Sequence, residues 1–207
     1  MDTINLNLIN EKYKRVIFDL LFKLKMHSEE SYVHSLDVAE KSIALGKSLG
    51  VSGSDLETLY TASLLHDIGK LYVNDKILHK PNVTNYEREI IRFGHIEGTR
   101  EILSKYFDED IVNLAAHHHE RLNNSGYPEH LNSKKLGLLD RILQVTDVTS
   151  ALAMNRSYQD AKSPEKIIKI LDELVSRGEL DKKCVKEIEK LFLYPFAEQS
   201  SGQPESE

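Results

Sequence analysis

Apolar residues recur at three- and four-residue steps along almost the whole chain, which is the spacing of a helix that buries one face. Between Leu8 and Met26 the apolar positions fall on one such face. Further stripes follow at 32–49, 55–65, 86–107, 111–118, 136–152, 164–175 and 181–193. No segment alternates apolar and polar residues over enough positions to indicate a strand. The sequence therefore predicts an all-α protein, a single bundle domain of about eight or nine helices.

Glycine, proline and polar residues separate these stripes and suggest how the chain is divided into segments. We expect an N-terminal helix within residues 1–28 that packs on the main domain, which spans 29–196. The polar, acidic stretch 197–207 predicts a disordered tail. Segments 71–84 and 121–131 predict loops, and Gly94 predicts a break in the helix around it. Periodicity does not tell whether the first helix covers the core or forms a homodimer contact.

Charge and composition exclude several classes of function. The chain carries 27 basic and 33 acidic residues, a net charge of −6, which argues against binding DNA or RNA through a broad basic face. Its longest apolar runs are too short for a membrane span. The first residues lack a signal-peptide pattern, and the single cysteine, Cys184, cannot form an internal disulfide. We expect a cytoplasmic protein with no nucleic-acid or membrane partner.

Histidine is the residue type that carries functional information. Nine histidines occur, and several lie beside acidic residues at the ends of apolar stripes. Taken singly, each has an ordinary interpretation as a packed or surface residue, and the run at 117–119 could be a solvated helix end. Burying several imidazoles and carboxylates on separate helices would be costly without a shared purpose. The candidate residues are His34, His66, Asp67, His95, His118, His119 and Asp147.

These side chains predict a metal centre. Imidazole and carboxylate ligands without thiolate suit iron, manganese, zinc or nickel. Neighbours such as His66 and Asp67 point about 100° apart on a helix, so they could serve two adjacent ions with Asp67 as the bridge. Two ions about 3.5–4 Å apart can activate water and polarise a phosphoryl oxygen. Spacing alone thus indicates metal-assisted hydrolysis of a phosphate ester.

The order of these motifs resembles the HD-GYP phosphodiesterases, a group of the HD metal-dependent phosphohydrolases. The shared residues are His34-Ser35, LLHDIGK at 64–70, His95, HHERLNNSGYP at 118–128, and Asp147 followed by Arg156 and Tyr158. The resemblance implies an all-α, HD-type catalytic domain at 29–196. It implies two or three divalent metal ions, commonly iron or manganese, with zinc, nickel or magnesium as alternatives. It also implies hydrolysis of a cyclic dinucleotide, usually cyclic di-GMP, to pGpG or GMP by metal-activated hydroxide.

The resemblance also implies roles for single residues. The candidate histidines and aspartates match metal-ligand positions, and Glu30 lies where some members supply a carboxylate to a third metal. Lys70 and Arg156 match positions associated with substrate phosphate, where cations would stabilise the charged transition state. Asp67 and Lys70 are the expected catalytic residues, and Tyr127 of the intact Gly-Tyr-Pro is expected to bind substrate.

Two departures from the family pattern keep alternatives open. Asn123 and Asn124 replace the usual Asp-Gly of the loop, and Ser150 stands where an aspartate usually follows Asp147. Asparagine tolerates tight-turn geometry, which favours an intact loop. If the family's aspartate at this position assists the metal centre, its replacement by Ser150 would mean fewer bound metals or slower turnover. The alternatives are an HD-type phosphohydrolase acting on another nucleotide or phosphate ester, and a catalytically weak binding or signalling module.

Overall fold

The computed structural model describes residues 4–78, 80, 82–155 and 160–193. Within these ranges the chain forms nine α-helices and no strand, which confirms the predicted all-α class. The helices are α1 (Lys14–His27), α2 (Glu29–Ser48), α3 (Gly53–Leu65), α4 (Asp75–Leu78), α5 (Asn85–Leu103), α6 (Glu109–Ala116), α7 (Leu138–Ala153), α8 (Pro164–Ser176) and α9 (Lys182–Ile188). Short 3-10 turns occupy Leu6–Leu8, Glu11–Tyr13 and Ile68–Tyr72, and a π-helical turn at Glu189–Leu193 follows α9.

The first α-helix begins later than the apolar stripe predicts, because the stripe starts at Leu8 and α1 starts at Lys14. Two 3-10 turns precede α1, and each begins where an asparagine side chain, Asn5 or Asn10, accepts a hydrogen bond from the backbone N–H two residues later. Such local bonds compete with an α-helix, so α1 begins only at Lys14. The buried face of α1 packs on α2, on α3 and against the 3-10 turn at Ile68–Tyr72.

The bundle is organised around α2. This helix packs against α1, α3, α7 and α9, and the hydrophobic core contains residues from all of these helices and from α6 and α8. The connection from α2 to α3 is short because Gly50 and Gly53 adopt positive φ angles of 87° and 58°, which other residues rarely reach. Burial of each leucine or isoleucine side chain stabilises the folded state by about 1.5–3 kcal/mol, so the helices that carry the site are held by apolar packing.

Helix α5 corrects the predicted break at Gly94, because it runs without interruption from Asn85 to Leu103. A glycine inside a helix costs about 1 kcal/mol relative to alanine, which a well-capped and packed helix tolerates. Thr84 and Glu87 form a capping box at the start of α5. The helix packs closely on the 3-10 turn after α3, where a Cβ added to Gly69 would lie 1.8 Å from the carbonyl oxygen of His95. Only glycine permits this approach.

The two predicted loops have different outcomes. Segment 71–84 contains the short helix α4, whereas 121–131 has no helix. None of the described helices combines the length and the apolar character that crossing a membrane requires. The division into an N-terminal helix at 1–28 and a domain at 29–196 stays a prediction, and the tail at 197–207 lies outside the described residues.

Candidate metal centre

Six of the predicted site residues meet in two clusters. The first cluster contains His34, His66 and Asp67, which lie on α2 and at the end of α3. The second cluster contains His95, His118 and His119, which lie on α5 and after α6. Within each cluster, one ligand atom of every residue lies within 4.8 Å of the others. The clusters are adjacent, since the ring centroids of His66 and His118 are 4.8 Å apart.

Backbone carbonyls set the orientation of three of these rings. Nδ1 of His66 and Nδ1 of His118 each donate to the carbonyl three residues earlier, at 2.8 and 2.7 Å. Nδ1 of His95 donates to the carbonyl four residues earlier. In each ring the opposite nitrogen, Nε2, is buried and has no hydrogen-bond partner among the described residues. An imidazole held in this way offers its Nε2 lone pair to a metal ion.

Two buried carboxylates each face both clusters. Oδ2 of Asp67 lies 3.4 Å from Nε2 of His66, and its other oxygen, Oδ1, lies 3.9 Å from Nε2 of His118. Asp147, on α7, divides its oxygens in the same way. Its Oδ1 lies 3.0 Å from Nε2 of His34, and its Oδ2 lies 4.0 Å from Nδ1 of His119. This arrangement could hold two cations side by side with carboxylates between them.

The buried carboxylates are charged. Burial favours the protonated acid at Asp67, but the Lys70 ammonium, 2.6 Å from Oδ2, and the His66 ring outweigh burial and hold the pKa of Asp67 well below its usual value. Burial also opposes ionisation of Asp147, and the hydrogen bond from His34 outweighs it, so the pKa of Asp147 is well below its usual value. Both side chains are therefore anionic, which is the form that binds cations.

Most histidines of the centre are held neutral. Burial, reinforced by the nearby His66 ring, lowers the pKa of His118 to about 3. Burial and the neighbouring His118 lower the pKa of His119 well below its usual value. Burial also lowers the pKa values of His34 and His95. At His66 burial is outweighed by the neighbouring carboxylates, which raise its pKa. Neutral imidazoles beside anionic carboxylates are suited to divalent cations.

Ser150 contacts the centre through His34. Its hydroxyl lies 3.0 Å from Nδ1 of His34, while Nε2 of the same ring faces Asp147. A hydroxyl can donate or accept, so Ser150 can pair with either tautomer of His34. The position where the family resemblance leads us to expect an aspartate is thus held by a residue that orients a candidate metal ligand.

Glu120, directly after the histidine run, fixes the loop that follows it. Its side chain is fully buried, and its two oxygens accept hydrogen bonds from the backbone N–H groups of Glu129 at 2.6 Å and Leu131 at 2.8 Å. Gly126 lies against this segment, where an added Cβ would come within 2.4 Å of the Cα of Glu120. Asn124 adopts a positive φ of 67°, a conformation that asparagine tolerates. The loop therefore forms a closed turn with asparagine in place of glycine.

A cavity of about 450 Å³ opens beside the two clusters. Glu30 lies on its wall, one helical turn before His34, and belongs to neither cluster. Lys70 also lines the cavity, and its ammonium lies 2.6 Å from Oδ2 of Asp67. Arg156, the other predicted phosphate contact, lies outside the described residues.

Tyr127 forms part of the cavity wall. Its ring centroid is 4.8 Å from that of His119 and 5.7 Å from that of Phe93. The guanidinium carbon of Arg92 lies 4.4 Å from the same ring centroid. The predicted substrate residue is therefore packed between the metal centre and a cation on α5.

Sequence reasoning missed two residues that support the centre. Glu120 belongs to a conspicuous His-His-Glu run, yet its function became apparent only with the loop amides that it binds. The Thr99 hydroxyl on α5 donates to the carbonyl of His66 at 3.1 Å and accepts from the N–H of Gly69 at 3.0 Å. Nothing in the sequence around Thr99 indicates this contact, because its partners are about thirty residues away.

Comparison with known proteins agrees with this geometry. The HD domain family matches residues 15–184. The chain belongs to the HD domain family. The family predicted from the sequence motifs is therefore confirmed. Among curated proteins, a 3'3'-cGAMP-specific phosphodiesterase of Vibrio cholerae is 37% identical over 155 residues, which cover 74% of this chain and 36% of that protein. A cyclic di-GMP phosphodiesterase of Pseudomonas aeruginosa is 36% identical over 67% of this chain and 34% of its own length.

Solved structures share the fold. An HDGYP protein from Bdellovibrio bacteriovorus has a TM-score of 0.63 and 21% sequence identity. The match covers 76% of the present chain and 51% of the Bdellovibrio chain. The HD domain of a Listeria monocytogenes phosphodiesterase, solved with cyclic-di-AMP, has a TM-score of 0.63 and 18% sequence identity. The match covers 91% of the present chain and 100% of the Listeria chain. The present chain spans about a third of the length of the first curated relatives that it matches.

Proposed function

We propose that this chain is the catalytic unit of a metal-dependent phosphodiesterase that opens a cyclic dinucleotide. One observation carries the proposal. Three buried histidine Nε2 atoms have no hydrogen-bond partner among the described residues, and two of them face the anionic Asp67. Buried polar atoms normally have partners, and bound cations would supply them. Relatives that act on 3'3'-cGAMP and cyclic di-GMP support a cyclic dinucleotide as the substrate.

Histidine nitrogens and carboxylate oxygens would hold the metal ions. We propose as ligands His34, His66, Asp67, His95, His118, His119 and Asp147. Glu30, on the cavity wall, would contribute to a third ion. Iron or manganese fits this mixture of nitrogen and oxygen ligands. When bound, such ions activate water and polarise a phosphoryl oxygen.

The side chains of the cavity would position the reacting groups. Lys70 would contact a phosphoryl oxygen and offset the negative charge that develops as water attacks. Asp67 would accept a hydrogen bond from the attacking water or hydroxide and so orient it. Arg156 would provide a second cation at the phosphate. Tyr127, packed against His119, would close one side of the cavity around the substrate.

Anaerobically purified protein loaded with Fe²⁺ or Mn²⁺ tests this function. Metal content is measured by mass spectrometry, and products from cyclic di-GMP, 3'3'-cGAMP and cyclic di-AMP are separated by chromatography from the same sample. We expect about two or three ions per chain and a linear dinucleotide or mononucleotide product. Bound metal without hydrolysis of any of these substrates would favour another phosphate ester or a binding module.

Two neighbouring histidines provide a matched pair of variants. His118 belongs to the second cluster, whereas Nδ1 of His117 lies 3.1 Å from Asp140, outside both clusters. We expect His118→Ala to lose metal and activity and His117→Ala to keep both. Equal metal content and equal rates in the two variants would contradict the proposed centre.

A further inference from the structure

The cavity beside the metal centre has a cationic wall. Lys70, Lys80 and Arg88 all line it. The Lys70 ammonium is bonded to Asp67, and the Lys80 ammonium lies 2.7 and 2.9 Å from the two carboxylate oxygens of Glu87. Among the described residues, the Arg88 side chain has neither an ion pair nor a hydrogen bond. Its guanidinium donors are therefore available to a ligand.

Helix geometry sets the backbone separation between Arg88 and His95. Arg88, Ile91 and His95 lie on one face of α5 and all line the cavity. Seven residues separate Arg88 from His95, which corresponds to about 10 Å along the helix axis. Lys70, in contrast, contacts the centre directly through Asp67. The cavity thus offers cations at two depths, one at the centre and one farther out along α5.

We propose that Arg88 binds the second phosphodiester of a cyclic dinucleotide, the one that is not cleaved. The scissile phosphodiester would lie at the two histidine clusters, beside Lys70. This inference rests on the proposed function and deepens it. It favours substrates with two phosphodiesters, because a mononucleotide or a simple phosphate ester would gain nothing from the exposed Arg88. A planar guanidinium can donate two parallel hydrogen bonds to one phosphate, which a lysine cannot match.

A guanine base is the competing ligand for the same side chain. Arginine can also donate two hydrogen bonds to O6 and N7 of guanine. Adenine offers no O6 acceptor, so a base contact and a phosphate contact predict different substrate dependences. A contact to phosphate affects cyclic di-GMP and cyclic di-AMP alike, whereas a contact to guanine affects only cyclic di-GMP.

Arg88→Ala and Arg88→Lys test the inference against Arg15→Ala. Arg15 is an exposed arginine on α1 outside the cavity, so its variant removes the same charge elsewhere. The substrates are cyclic di-GMP, cyclic di-AMP and bis(p-nitrophenyl) phosphate, which has a single phosphodiester. We expect Arg88→Ala to raise KM for both cyclic dinucleotides by about 10- to 100-fold. Rates with bis(p-nitrophenyl) phosphate should not change, Arg88→Lys should restore part of the loss, and Arg15→Ala should match the wild type.

Three results would overturn the assignment of Arg88. They are an unchanged KM for both cyclic dinucleotides, an effect confined to cyclic di-GMP, and an equal loss with bis(p-nitrophenyl) phosphate. Calorimetric titration of the metal-free protein with cyclic di-GMP gives a second measurement, in which Arg88→Ala should weaken binding by a similar factor. Wild-type protein that binds but does not hydrolyse cyclic dinucleotides would refute the proposed function. The titration would still decide the role of Arg88.

Discussion

The histidine clusters and the cationic wall of the cavity are built in different ways. Four of the five histidines are buried and His119 is partly exposed, and His66, His95 and His118 each donate a hydrogen bond to a backbone carbonyl three or four residues earlier. The cations on the wall have long side chains: Lys70 and Lys80 pair with carboxylates, and Arg88 has no ion pair among the described residues. Lys80, for example, is partly exposed and is paired with Glu87.

This difference separates a fixed site from an adaptable one. Backbone carbonyls move only when a helix moves, so the metal-binding geometry is set before any ligand arrives. An exposed cation such as Lys80 can exchange its carboxylate partner for a phosphate at little cost, since exposed ion pairs contribute only about 0–1 kcal/mol. We therefore expect substitutions at the histidine clusters to abolish function and substitutions of Lys80 or Arg88 to give graded effects.

The largest effect is expected for Asp67→Asn. The variant removes the charge that faces both clusters and leaves the Lys70 ammonium without its carboxylate partner. Turnover of cyclic di-GMP should fall on the order of 10³-fold, and the metal content should fall with it. Asp140→Asn is the matched control, because Asp140 lies outside both clusters at the start of α7. Wild-type metal content and turnover in Asp67→Asn would refute the central role of this carboxylate.

Ser150→Ala tests whether a residue one contact away from the metal matters. The Ser150 hydroxyl orients His34, and partners of metal-binding histidines commonly change metal affinity by about 10- to 100-fold. We expect a loss in that range on titration of metal-free protein with Mn²⁺. Ser150→Asp, which introduces the carboxylate of the family pattern, should strengthen binding instead. Equal affinities in all three proteins would show that His34 needs no such partner.

Glu120→Gln tests the loop beside the second cluster. An amide has only one acceptor oxygen, so one of the two loop N–H groups loses its partner. The free energy of unfolding should fall by about 1–3 kcal/mol in chemical denaturation. Glu129→Gln is the control, because its half-exposed side chain pairs with Arg100 and should contribute less. A control that is destabilised as much as Glu120→Gln would contradict a specific role for the buried carboxylate.

The sequence predicted the features of the fold that depend on local pattern. Periodicity and punctuation identified the long helices, but Gly94 was wrongly interpreted as a break because packing on a neighbouring turn is not visible in a window of sequence. The short helix α4 was missed because Pro81, Asn74 and Asn82 mark its segment as a loop. At Gly94 the difference arises where tertiary packing outweighs local propensity.

At the site, the sequence predicted which residues would meet but not how they are held. The histidines and aspartates stand out because their chemistry is rare on apolar helix faces. The tethers from Nδ1 to backbone carbonyls, and the contact between Ser150 and His34, depend on helix ends and on pairs 116 positions apart. Such partners are ordinary residues, and only the three-dimensional structure distinguishes them from their neighbours.

The smallest effect is expected at Glu87, the partner of Lys80 on the cationic wall. The Lys80 ammonium and the capping Thr84 lower the pKa of Glu87 from 4.5 to about 2. Because the folded-state pKa is the lower one, the ionised carboxylate stabilises the fold above about pH 4.5, and this contribution disappears as the pH falls towards 2. Glu87→Gln can keep the capping box while removing the charge. Denaturation of the metal-free proteins should show a small difference at pH 7 that shrinks between pH 4.5 and 2 and weakens in high salt. A difference that is independent of pH and salt would mean that this wall is held by packing, and the contrast with the histidine clusters would then be wrong.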